Sequence, residues 1–75
     1  MAAKKNIRIE IGDRSGMASN NDNLGNAYFD SGEYQKAIEC YKKGLQVSTE
    51  IGDRSGMASN NGNLGNAYLS LGEYQ

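Results

Sequence analysis

The eleven residues "IGDRSGMASNN" occur twice, at 11–21 and at 51–61. Self-similarity at a fixed period is the signature of a stacking unit, one that cannot bury its apolar surface alone and is completed by its neighbour. Aligning residues 11–35 with 51–75 leaves four differences, Asp22/Gly62, Phe29/Leu69, Asp30/Ser70 and Ser31/Leu71, so the period is forty residues. Residues 1–10 then stand opposite 41–50, with Ile7 and Ile9 at the places of Val47 and Thr49. The expected organisation is a single domain in which 1–10 end a preceding unit, 11–50 form one full unit and 51–75 begin the next.

Within a period the apolar spacing is helical. Met17, Leu24 and Tyr28, and in the second copy Met57, Leu64, Tyr68 and Leu71, recur at about 3.5 residues, the stripe of one helix face. Asp13 is a suitable N-cap for this helix, and Gly32 a suitable residue just past its end. Tyr34, Ala37, Ile38, Tyr41 and Leu45 form a second stripe, opposite Lys36, Glu39, Lys42 and Lys43. The chain is therefore expected to be all-α, with helix A over about 14–31, helix B over about 33–51 and a second helix A over about 54–71. The short link at Gly32 makes A and B an antiparallel hairpin. Gly25 beside Tyr28 implies close approach to helix B at Ala37, because an interior glycine costs about 1 kcal/mol unless packing requires it.

Composition narrows the function. In 75 residues, eight basic and nine acidic side chains give a net charge of −1, with no electrostatic footprint for nucleic acid and no polybasic membrane patch. Cys40 is the single cysteine and histidine is absent, which excludes an internal disulfide and leaves no transition-metal set. "GDRSG" and "LGNAYFDSG" lack the lysine of a phosphate loop, Asp22, Asp30 and Glu33 lack the spacing of a calcium loop, and no serine or Cys40 has an obvious base. No catalytic residue, metal or cofactor is expected, and the chain is read as no enzyme. "MAAKKNIRIE" has no apolar core behind its lysines, so neither a signal peptide nor an anchor is expected, and a soluble cytoplasmic protein is the default.

Asparagine is the unusual feature. Asn20, Asn21, Asn23 and Asn26 crowd one helix, and Asn60, Asn61, Asn63 and Asn66 another, although Asn is a mediocre helix former. An amide both donates and accepts, so it can pair with a peptide backbone in either sense.

The stretch "NLGNAYFDSGEYQKAIECYKKGL" resembles a tetratricopeptide repeat, with Leu24, Gly25, Tyr28, Gly32, Tyr34, Ala37 and Tyr41 at the family's packing positions. "NLGNAYLSLGEYQ" repeats the first half, including Leu64, Gly65 and Tyr68. The forty-residue period and "IGDRSGMA" resemble the extended variety in Pins-like cell-polarity adaptors, and kinesin light chains carry a related repeat. The sequence departs from the family at Asn21 and Asn61, often large and apolar, at Gly44, usually alanine, and in lacking a closing proline. The resemblance implies a right-handed superhelix of hairpins whose concave A-helix surface holds an extended peptide. Asn26 and Asn66 match the family's inner-surface asparagine, with Asn23 and Asn63 one turn before them. Ser19, Asp22, Phe29 and Asp30, with Ser59, Leu69 and Ser70, match other concave positions. Members that clamp a terminal carboxylate carry Lys or Arg there, and 17–31 and 57–71 contain neither.

Two function classes follow. The first is a protein-interaction scaffold holding a partner's extended segment. The alternative is a self-associating structural unit, excised or engineered, with no ligand of its own. Fewer than two units leave Tyr68, Leu69 and Leu71 without neighbours, which predicts a homo-oligomer by helix exchange or head-to-tail stacking. Neither nucleic acid nor membrane is an expected partner.

Overall fold

In a computed structural model the backbone is described for residues 2–74 and the side chains for 16–73. Three helices follow one another: α1 (Ala2–Asp30), α2 (Tyr34–Ile51) and α3 (Arg54–Tyr74), with no strand among the described residues. α1 and α3 both pack on α2 and meet each other only briefly. The all-α hairpin architecture is as expected.

The two reversals share one chemistry. Gly32 and Gly52 have φ of 82° and 74°, the left-handed region that only glycine enters without strain. At the first, the Glu33 N–H donates to the Tyr28 carbonyl at 2.8 Å and the Gly32 N–H to that of Phe29 at 3.0 Å. At the second, Asp53 N–H meets Ser48 O at 2.8 Å and Gly52 N–H meets Thr49 O at 3.2 Å. Each is a Schellman end, which satisfies carbonyls that have no partner inside the helix. Asp53 then opens α3, its Oδ1 accepting the Gly56 N–H at 3.0 Å. Glu33 makes no such cap for α2. Its carboxylate instead takes the Lys36 ammonium at 3.0 Å and the Ser31 hydroxyl at 3.2 Å.

The first copy of "IGDRSG" behaves differently. α1 ends within one residue of the expected end, but it runs back without a break to Ala2 instead of starting near residue 14. The reason lies in what the second copy packs against. There Ser48 is buried, accepts a hydrogen bond from Asn60 Nδ2 at 3.3 Å, and lies so close to Gly56 that a Cβ there would sit 2.7 Å from Ser48 Oγ. One period earlier, the places of Gly44 and Ser48 are held by Lys4 and Arg8. The small residues of that seat are thus not repeated in the sequence one period earlier. Asp13, expected to cap a helix start, lies instead inside the continuous α1 and caps none.

The core is Ala37, Ile38, Tyr41, Leu64 and Ala67, with Tyr28, Phe29, Leu45 and Leu71 packed against it. The two A-type helices, nearly identical in sequence, do not use one face. On α1 the buried and half-buried positions from Met17 on are Ala18, Asn21, Asp22, Gly25, Tyr28 and Phe29, whereas on α3 the buried positions are Asn60, Leu64 and Ala67, with Met57 and Leu71 half-buried on the same stripe. The stripes differ by one residue, or about 100° around a helix of 3.6 residues per turn. The single stripe expected for Met17, Leu24 and Tyr28 is thus two stripes, one for each side of a helix B. That is why Leu24 is 48% exposed while its counterpart Leu64 is 9% exposed.

Gly25 answers the close approach, with a different partner from the one expected. A Cβ there would lie 2.6 Å from the Tyr41 ring, so the ring of α2, not Ala37, demands the glycine. Gly65, its equivalent on α3, is exposed, and a Cβ at that position would meet nothing within 4 Å.

Candidate functional site

α1 and α3 flank a cavity of about 190 Å³ above α2, lined by Asn26, Phe29, Tyr41, Asn63 and Asn66. Its base is Tyr41, 2% exposed, whose hydroxyl donates to Asn26 Oδ1 at 2.6 Å. A buried phenol needs a partner for its hydroxyl, and here it fixes an amide. With Oδ1 engaged, the Asn26 amide still carries the two donors of its NH₂ group. Asn66 is exposed and Asn63 half-buried, so amides from both copies reach the same space. Phe29 forms the apolar wall, its ring edge-on to Tyr34 with centroids 5.3 Å apart. Burial raises the Tyr41 pKa, and the negative charges of Asp30 and then Asp22 raise it further, so the phenol stays protonated as a donor.

Four of the eight candidate peptide-contact residues, Asn26, Phe29, Asn63 and Asn66, line this cavity. Asn23, Ser19 and Asp30 are exposed on α1 and do not line it. Asp22 lies lower, at the junction of the three helices. A Cβ at Gly44 would meet its Oδ1 at 2.5 Å and Asn60 Oδ1 at 2.9 Å. The departure from alanine at Gly44 is therefore required by two polar side chains resting on its backbone. Both oxygens are buried without a hydrogen-bond partner, and burial raises the Asp22 pKa. Among the residues assigned to packing, Ala37, Tyr41, Leu64 and Gly25 are buried, Tyr28 and Tyr34 half-buried, and Leu24, Gly32, Gly65 and Tyr68 exposed.

Two features escape sequence reasoning. Tyr41 reads as a packing position, although a tyrosine on a buried stripe, where phenylalanine would serve, signals a hydroxyl partner. Asn60 reads as part of a polar surface, yet it is fully buried, and nothing local distinguishes it from exposed Asn20. Among the described residues no group of His, Cys, Asp or Glu could hold a metal ion, and no helix is long and apolar enough to cross a membrane.

A second groove, about 400 Å³, lies between α1 and α2 on another side and is lined by Met17, Asn21, Lys43, Gln46, Val47 and Glu50.

Comparison with known proteins bears on this arrangement. The chain is 45% identical over 42 residues to RNA polymerase II-associated protein 3 of Xenopus tropicalis, covering 56% of this chain and 6% of that protein. It is 49% identical over 39 residues to the protein of the same name from Xenopus laevis, covering 52% and 6%. The chain thus spans about 6% of the length of these curated relatives. No solved structure gives a significant match. The sequence profile of the tetratricopeptide repeat matches residues 16–75, four-fifths of the chain, and the chain belongs to the tetratricopeptide repeat family.

Proposed function

We propose that the chain is a non-enzymatic scaffold segment that holds an extended peptide of a protein partner across α1 and α3. The observation that carries this reading is the cavity in which Asn26, Asn63 and Asn66, drawn from both copies, surround a hydroxyl-anchored base. In this reading residues 11–50 are one repeat of the extended forty-residue variety, 51–75 begin the next, 1–10 correspond to the end of a preceding helix B, and the setting is intracellular. The relatives' name, RNA polymerase II-associated protein, is compatible with a protein partner and specifies none for this chain.

The test is a peptide-display selection against the chain, followed by titration of the selected peptides. Asn26→Ala with Asn66→Ala should weaken binding about tenfold or more, since each lost backbone hydrogen bond contributes about 1 kcal/mol, while helicity measured by circular dichroism persists. Selected peptides that bind the double variant unchanged would refute the reading.

A second reading, association with copies of itself, is favoured by one observation. Met17, Leu24, Tyr68 and Leu69 are 48–64% exposed. Sedimentation of the chain from 1 to 100 µM (about two decades, chosen to span weak association) should show a mass rising with concentration, and a constant monomer mass would refute it.

A further inference from the structure

The charges around the cavity are of one sign. Residues 17–31 and 57–71 contain two ionisable acids, Asp22 and Asp30, and no Lys or Arg. Asp30 follows Phe29 directly and stands one turn after Asn26 on α1, and both of those residues line the cavity. Asp30 is exposed and next to Phe29, and among the described residues its carboxylate has no ion pair or hydrogen bond. Asp22 carries an oxygen with no partner. The cations of α2 are engaged elsewhere: Lys36 with Glu33 and over the Tyr28 ring, Lys42 beside the Tyr68 ring at 6.0 Å, and Lys43 in the second groove. The ligand groove is thus an amide-lined slot with an apolar wall and uncompensated negative charge at its edge.

We propose that the segment held in this groove is basic: a Lys or Arg side chain lays its aliphatic stem against Phe29 and its cation beside Asp30, and Glu or a terminal carboxylate at that place is rejected. The inference rests on the peptide-binding reading above and adds its charge specificity. A long cationic side chain suits both features, because its methylenes cover apolar surface while the charged end stays in water near the carboxylate. An anion there meets the like charge of Asp30, with Asp22 beneath, and no compensating donor stronger than an amide.

The probes are three blocked heptapeptides of alternating Ser and Ala with Arg, Gln or Glu at the centre, titrated into the isotopically labelled chain. The readout is the side-chain amide signals of Asn26, Asn63 and Asn66. The Arg peptide should reach half-saturation at about one-tenth the concentration of the Glu peptide, with Gln between, as charge complementarity sets preference. Asp30→Asn, at an exposed position and with folding checked by circular dichroism, should reduce the Arg-to-Glu ratio to about threefold or less. Asp22→Gly, which introduces the residue type that the second copy carries at 62, provides an independent variant with the same expected direction. If the Gln peptide shifts the amides but Arg and Glu bind alike, or if both variants keep the full ratio, the charge inference is overturned and the peptide-binding reading stands. If no peptide shifts them, both are overturned.

Discussion

Replacing Asp22 by asparagine should stabilise the chain. Asp22 Oδ1 and Asn60 Oδ1 rest together over Gly44, sealed from water, and neither accepts a hydrogen bond. Two acceptors facing one space have no proton between them. The amide introduced by Asp22→Asn presents an NH₂ that can donate to Asn60 Oδ1, and it removes a charge from a partly desolvated site. One neutral hydrogen bond contributes about 1 kcal/mol, which for a domain of this size raises Tm by roughly 4–8 °C. Burying an unpaired polar atom costs up to about 3 kcal/mol, which bounds the gain.

The dependence on pH separates this cause from others. Burial raises the Asp22 pKa above its ordinary 3.8, so the folded state holds the proton more tightly than the unfolded chain. The contribution of protonated Asp22 to stability is complete below 3.8 and is lost as pH rises through the raised folded value. Protonated, its O–H donates to Asn60 Oδ1 much as an amide would. The difference in Tm between the Asp22→Asn variant and the parent should therefore be largest at about pH 7 and shrink toward zero near pH 3, below the ordinary carboxyl value. Taking the difference removes the titration of every other carboxylate. The assay is thermal unfolding by circular dichroism at a series of pH values. A variant no more stable than the parent at neutral pH, or a gain independent of pH, would refute the reasoning.

Gly25→Ala and Gly65→Ala alter the same repeat position with opposite expected signs. The first should lose about 1–3 kcal/mol by driving a methyl into the Tyr41 ring, and the second should gain up to about 1 kcal/mol from helix propensity, both read by urea denaturation. Gly44→Ala, which restores the family's usual residue, should lose about 1–3 kcal/mol in the parent and less in the Asp22→Gly background, where one of the two obstructing oxygens is gone. Lys4→Gly with Arg8→Ser supplies the small residues that seat the second joint, so Gly12 should pass to positive φ, visible in its backbone chemical shifts. Persistence of helical shifts through residues 10–16 in that variant would show that the seat does not decide the turn.

The helices and the first reversal were legible because their signals are local. Gly32, between two stripes at helical spacing, marks a helix end from its own neighbourhood, whereas Gly52 ends a helix where Gly12, in the same local sequence, does not. The start of α1 was not legible from the repeated segment, because the determinant sits outside it: "IGDRSG" turns when Gly44 and Ser48 precede it and continues as helix after Lys4 and Arg8. A repeat therefore encodes the capacity for a joint, and its neighbour supplies the surface that stabilises the joint. The same reasoning applies to burial. Asn20 and Asn60 share the flanking residues "MASNN", yet Asn60 is sealed against Ser48 while Asn20 is exposed, because among the described residues α3 and not α1 has a helix B on that side. Of the cavity, Asn26 and Asn66 stand at equivalent repeat positions, which is why periodicity reaches them. Tyr41 belongs to α2 and enters the cavity only once the hairpin has closed, through a Gly25 that lets its ring pass beneath α1. The glycine that looked like a matter of backbone packing is thus also what brings a hydroxyl to Asn26, and enlarging it should disturb the amide surface along with the fold.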